Sequence, residues 1–142
     1  MCIRDSLQGL QNTFEATVNS IVKYSWHKKT GAVADSEQMA AYFREKAKQR
    51  MLDAGSKTVH GDFLACSNFD LKARLEEIAV PVLVIASDCD RMVPLKVSRE
   101  MAEKLPNSKF VSLENCGHFQ HIEQTAKVAG ELVTFLSKLR NT

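Results

Sequence analysis

No apolar run in this 142-residue chain approaches the roughly 18 residues that a membrane span requires. The amino terminus, MCIRDSLQGL, has no apolar segment of the secretory type. Charge of one sign is missing too. Nineteen Lys and Arg against 17 Asp and Glu leave +2, too balanced to argue for a nucleic acid, a membrane face or another polyanion as partner. The four cysteines, Cys2, Cys66, Cys89 and Cys116, form no C-x-x-C pair, and the four histidines are equally dispersed. That argues against a structural zinc site and leaves reduced thiols in a cytoplasmic protein as the simplest expectation. Internal repeats and low-complexity tracts are absent.

What is there reads as one ordinary globular unit. Hydrophobic residues make up 44% and charged residues 25%, and a chain of this length buries about two-thirds of its unfolded surface. Residues 1–6 carry no pattern that belongs to a fold and are set apart as a non-native extension. Residues 7–66 read as helices joined by polar loops. LQGLQNTFEATVNSIVKYSW spaces Leu10, Phe14, Val18, Ile21 and Val22 as one helix does. TGAVAD interrupts, Asp35 or Ser36 can cap a second helix, and Gly55 ends it. Arg44, Lys46, Lys48 and Arg50 make that helix basic, which with Glu37 and Glu45 interleaved suits a solvated face. Trp26 is expected in the core rather than in a ligand wall.

From residue 67 the rhythm changes. NFDLKARLEEIAV predicts a short helix with Leu71, Leu75 and Ile78 on one stripe, capped by Asn68 or Asp70 and halted by Pro81. VPVLVIAS then reads as a strand buried on both faces. LKVSREMAEKL is an amphipathic helix, and PNSKFVSLEN is a second strand. HIEQTAKVAGELVTFLSKLRNT predicts one long helix that lays Ile122, Ala129, Leu132, Leu136 and Leu139 on a sheet. Alternating strands and helices imply a parallel sheet. Two strands are too few to complete one, so a substantial part of the domain is expected beyond these residues.

In open parallel sheets, chemistry gathers at the carboxyl ends of strands. The first strand ends in SDCDRMVP, with Asp88 and Asp90; the second ends in ENCGHF, with His118. If the strands are neighbours, Asp90 and His118 emerge on one edge. A carboxylate there can hold the imidazole's tautomer and orientation during proton transfer. Gly117 is expected to bend the chain through a positive φ and so aim the histidine.

These segments resemble the carboxyl-terminal part of the α/β-hydrolase-fold family. IAVPVLVIASDCDRMVP, EKLPNSKFVSLENCGHFQHIEQ and ELVTFLSKL match its closing order: strand, Asp-x-x-Val-Pro, strand, Gly-His, long helix. The resemblance implies Asp90 as the acid and His118 as the general base of a Ser-His-Asp triad, with Asp88 a non-catalytic neighbour. It implies a helical lid over residues 7–66 and the last two core strands over residues 67–142. The implied activity is hydrolysis of a small apolar ester or related acyl substrate through a serine-bound intermediate, with no metal or organic cofactor. Oligomeric state stays open.

Two departures stand out. Ser87 occupies a position where the family often has glycine. More seriously, the family's G-x-S-x-G nucleophile turn is absent from the chain. Ser56 in AGSKT lacks the second glycine and a preceding strand, and HGDF at residues 60–63 lies within the expected lid rather than in an oxyanion-hole loop. Cys116 is a poor substitute, being on the histidine's own turn. His121 and Glu123 read as first-turn helix residues without a catalytic part. The chain alone is therefore expected to be inactive. The alternative is a non-catalytic binding or self-associating module built from the same half-fold.

Overall fold

The computed structural model describes residues 3–27 and 37–140. The expected caps Asp35 and Ser36, and Cys2, lie outside the described residues. The order is α1 (Ile3–Asn12), α2 (Phe14–Ser25), α3 (Glu37–Asn68), a 3-10 turn (Leu75–Glu77), β1 (Val82–Ser87), α4 (Leu95–Lys104), β2 (Ser108–Leu113), α5 (Gln120–Glu123) and α6 (Thr125–Arg140). Among the described residues no helix is long and apolar enough to cross a membrane.

The first expected helix is two. Thr13 leaves helical geometry at φ −143°, and its hydroxyl donates to the Gly9 carbonyl at 3.3 Å. A threonine that hydrogen-bonds the preceding turn competes with the helical ladder and bends it. Helix α1 begins at Ile3, and Ser6, within the segment set apart by sequence, is buried. Gly55 stops one helix as expected, but a second starts at once, so α3 runs through a kink at φ 81°, ψ 158°. That conformation is essentially restricted to glycine. HGDF is accordingly helical.

Leu10, Val18, Ile21, Val22, Trp26 and Val59 form one core, which Met92, Phe119 and Ile122 join from the strand-bearing part. Burying each large apolar side chain contributes roughly 1.5–3 kcal/mol. Trp26 is 2% exposed and stacks on Phe119 with ring centroids 5.0 Å apart, so it is a core residue as expected. On the basic helix, Lys46 and Arg50 are exposed; Arg44 is half-buried, 6.0 Å over the Trp26 ring.

The helix expected over NFDLKARLEEIAV is instead a chain of turns closing on the short 3-10 segment. Asp70 does accept a backbone bond, but from Lys72, two residues on, at 2.8 Å. That side-chain turn competes with a helix start. Leu75 anchors the segment against Val84, Ala102 and Leu105, and Ile78 packs beside it. An apolar pair three residues apart fits the three-residue period of a 3-10 turn.

β1 and β2 pair in parallel, in register from Val82 with Ser108 to Ser87 with Leu113. The expected α4 is present. The expected closing helix is broken at Gln124 (φ −138°, ψ 53°) into α5 and α6. Of the apolar residues expected against a sheet, Ala129, Leu132, Leu136 and Leu139 are exposed and Ile122 is half-buried, whereas the residue α6 buries is Val128, outside the expected stripe. A two-stranded sheet is too narrow to cover that face.

Candidate active site

The parallel ladder continues past the strand ends and fixes the two loops relative to each other. The Asp88 amide donates to the Leu113 carbonyl at 3.0 Å and the Cys89 amide to the Cys116 carbonyl at 3.1 Å. The Cys116 amide returns a bond to Asp88 Oδ1 at 3.3 Å. Burial opposes the charge on Asp88, but the bonds it accepts from the Asn115 amide, the Cys89 thiol and the amides of Cys116 and Cys89 outweigh this and hold its carboxyl below the ordinary carboxylate value. Asp88 is thus a clamp between the loops.

Asp90 divides its oxygens. Oδ1 accepts the amides of Met92 (2.8 Å) and Val93 (2.9 Å), which organises the entry to α4. Oδ2 lies 2.9 Å from His118 Nδ1. Burial works against the charge on Asp90, which is 8% exposed, yet the bonds from His118 and the two amides keep its carboxyl below the ordinary value. The bond to Asp90 raises the imidazole of His118, burial partly opposing it and the charges of Asp90 and Glu123 adding to it. With Asp90 ionised, Nδ1 carries the proton and donates, leaving the Nε2 lone pair free to take a proton.

The turn that presents His118 is not built as expected. Positive φ falls on Asn115 (55°), not on Gly117; asparagine tolerates the left-handed region well. Gly117 is needed for close approach instead. A Cβ there would sit 2.6 Å from the His27 amide nitrogen, 2.8 Å from Glu123 Oε1 and 2.9 Å from the Ser25 carbonyl oxygen. The adjacent His118 amide donates to that Ser25 carbonyl at 2.7 Å. The histidine turn therefore lies edge-on against the carboxyl end of α2.

Sequence reasoning missed Glu123. It is 1% exposed. Oε2 accepts the amides of His27 (3.1 Å) and Gly117 (3.0 Å), and Oε1 accepts that of Phe119 (3.2 Å). No sequence signal marked it, since a glutamate in a helical first turn is usually solvated. Arg91 was missed as well: its Nη2 donates to the carbonyls of Lys23 (3.0 Å) and Trp26 (3.2 Å).

The other candidates lie elsewhere or are spoken for. Ser56 donates its hydroxyl to the Leu10 carbonyl at 2.6 Å, tying α3 to α1. Cys116 is fully buried, and burial pushes its thiol up to about 11, which leaves no thiolate to act as nucleophile near neutrality. His121 is exposed. Among the described residues no group of three or more His, Cys, Asp or Glu is arranged to hold a metal ion.

Comparison with known proteins places the chain in a class. Residues 4–125 match the α/β hydrolase fold family, and the chain belongs to that family. A RutD protein of Pseudomonas savastanoi pv. phaseolicola, named for carbamate hydrolysis, is 38% identical over 73 residues, 51% of this chain and 28% of its own length. The monoacylglycerol lipase ABHD6 of Mus musculus is 28% identical over 116 residues, 74% of this chain and 34% of the lipase. The crystal structure of a Bacillus anthracis bromoperoxidase superposes with a TM-score of 0.82 at 23% identity, over 95% of this chain and 48% of that one. The chain thus spans about half of the matched structure and about a third or less of the two curated relatives.

Proposed function

We propose that these residues are the acid-and-histidine half of a serine-type α/β hydrolase acting on small apolar esters or related acyl compounds. The observation that carries this reading is the 2.9 Å contact of His118 Nδ1 with the buried Asp90, at the ends of two adjacent parallel strands. His118 Nε2 takes the proton of a serine hydroxyl as it attacks the acyl carbon, then delivers it to the leaving group. Asp90 holds the tautomer and stabilises the imidazolium. The serine and the oxyanion-binding amides come from residues outside these 142, because G-x-S-x-G does not occur among them. Helices α1–α3 act as the lid, and the protein works in the cytoplasm. The matched lipase and carbamate-hydrolase names support acyl chemistry without fixing the acyl group.

The test begins with the source DNA upstream of codon 1, read in frame. The expected result is an apolar strand followed by G-x-S-x-G, and hydrolysis of short-chain p-nitrophenyl esters by the extended protein. His118→Ala should then cost about a million-fold in kcat and Asp90→Asn about ten-thousand-fold, the losses seen when such groups are removed from serine hydrolases. The 142 residues alone should not exceed background. Ester hydrolysis that survives His118→Ala, or that the 142 residues perform unaided, overturns the reading.

A further inference from the structure

Both loops that carry the pair are fastened to the same short stretch of a helix that contributes nothing to the pair itself. The last residues of α2 and the two that follow it, Lys23 to His27, offer carbonyls left unsatisfied where the helix stops. Arg91, next to Asp90, takes those of Lys23 and Trp26. The His118 amide takes that of Ser25. Glu123 closes the arrangement from the far side, gathering the amides of His27, Gly117 and Phe119 onto one buried carboxylate. The Glu123 amide also donates back to the Phe119 carbonyl at 2.8 Å, so the contact is reciprocal. Charge-assisted bonds of this kind are about twice as strong as neutral ones. The absence of a side chain at Gly117 lets the two segments approach this closely.

We propose that Glu123 and Arg91 are positioning residues: they pin the histidine turn and the acid loop to the end of α2, so that this helix sets the alignment of His118 with Asp90. The idea rests on the reading of Asp90 and His118 as a proton-transfer pair. It predicts that the alignment degrades when either fastening is cut, although neither residue touches His118's ring nitrogens.

The experiment follows the His118 ring by NMR titration, together with hydrogen exchange of the Gly117 and Phe119 amides, in the 142-residue chain. Asp90→Asn serves as the reference. It should lower the His118 titration midpoint; if it does not, the pair is not formed and the functional reading fails on its own account. Glu123→Gln keeps the shape but places an NH2 where an amide must be accepted. It should speed exchange of both amides at least tenfold and lower the midpoint. Charge loss alone would also lower it, so Arg91→Met decides. Losing a cation can only leave the midpoint unchanged or raise it, whereas loosening the acid loop lowers it. A fall on Arg91→Met supports the proposal. An unchanged or raised midpoint there, with Asp90→Asn effective, overturns it. Arg91→Met deletes only a half-buried guanidinium, so it remains decisive even if the Glu123→Gln chain loses cooperative unfolding.

Discussion

Replacing Gly117 with alanine should do far more damage than a methyl group usually does. The added carbon would lie 2.6 Å from the His27 amide nitrogen, 2.8 Å from Glu123 Oε1 and 2.9 Å from the Ser25 carbonyl oxygen. Two of those atoms are backbone and cannot rotate away, so the histidine turn must lift from α2. Overpacking of this sort costs roughly 1–3 kcal/mol. Lifting the turn also stretches the bonds from the His118 amide to Ser25 and from the Gly117 amide to Glu123, worth roughly 1 kcal/mol each. A loss of about 3 kcal/mol corresponds to a fall of about 10 °C in Tm for a chain of this size. Thermal unfolding measures it, with Gly61→Ala and Gly130→Ala as references. Both lie in helices with open space where the methyl would go, so each should gain about 0.5–1 kcal/mol. A Gly117→Ala chain that melts with the parent, or that moves in the same direction as the references, refutes the close-approach account.

Two further predictions concern titration and thiol chemistry. The lowered carboxyl of Asp90 contributes stability above its ordinary 3.8, lost as pH falls through the lowered value. The raised imidazole of His118 contributes stability below its ordinary 6.5, lost as pH rises through the raised value. The pair's contribution should therefore peak between about pH 4 and 6.5. In denaturant titrations across pH, Asp90→Asn should shrink the alkaline limb, whose upper part persists through the raised thiols of Cys89 and Cys116, and shrink the acid limb, part of which persists through Asp88; an unaltered alkaline limb would contradict the pairing. Among the cysteines, exposed Cys66 should react promptly with a disulfide reagent, whereas Cys116 should react only on unfolding. Rapid modification of Cys116 in the native chain would rule out its placement.

The strands, the amphipathic α4 and the convergence of Asp90 with His118 could be read from the sequence, because each rests on local periodicity or on strand-end geometry. What could not be read depends on which partner a side chain or a turn finds, in several cases across distant segments. Thr13 has the composition of a helix interior, yet its hydroxyl finds Gly9 and divides the helix. Leu75 and Ile78 keep helical spacing but are captured as a 3-10 turn by the Val84 and Leu105 side of the core. Gly117 invited an argument from backbone freedom, whereas its neighbour two residues back, Asn115, bends the chain and Gly117 makes room. Glu123 was the hardest: its three amide partners come from two turns that are far apart in sequence, and no periodicity signals a buried carboxylate. Exposure of Leu132, Leu136 and Leu139 likewise reflects the width of the sheet rather than any property of α6.

The central claim is that Asp90 fixes His118 with its proton on Nδ1 and its lone pair on Nε2. Nitrogen chemical shifts of the His118 ring report this directly once the imidazole is neutral, at a pH above its raised midpoint. The account predicts a protonated Nδ1 and a bare Nε2 in the parent chain, with that preference lost in Asp90→Asn. A parent spectrum with the proton on Nε2 would contradict it, because the nitrogen required to accept the serine proton would already be occupied.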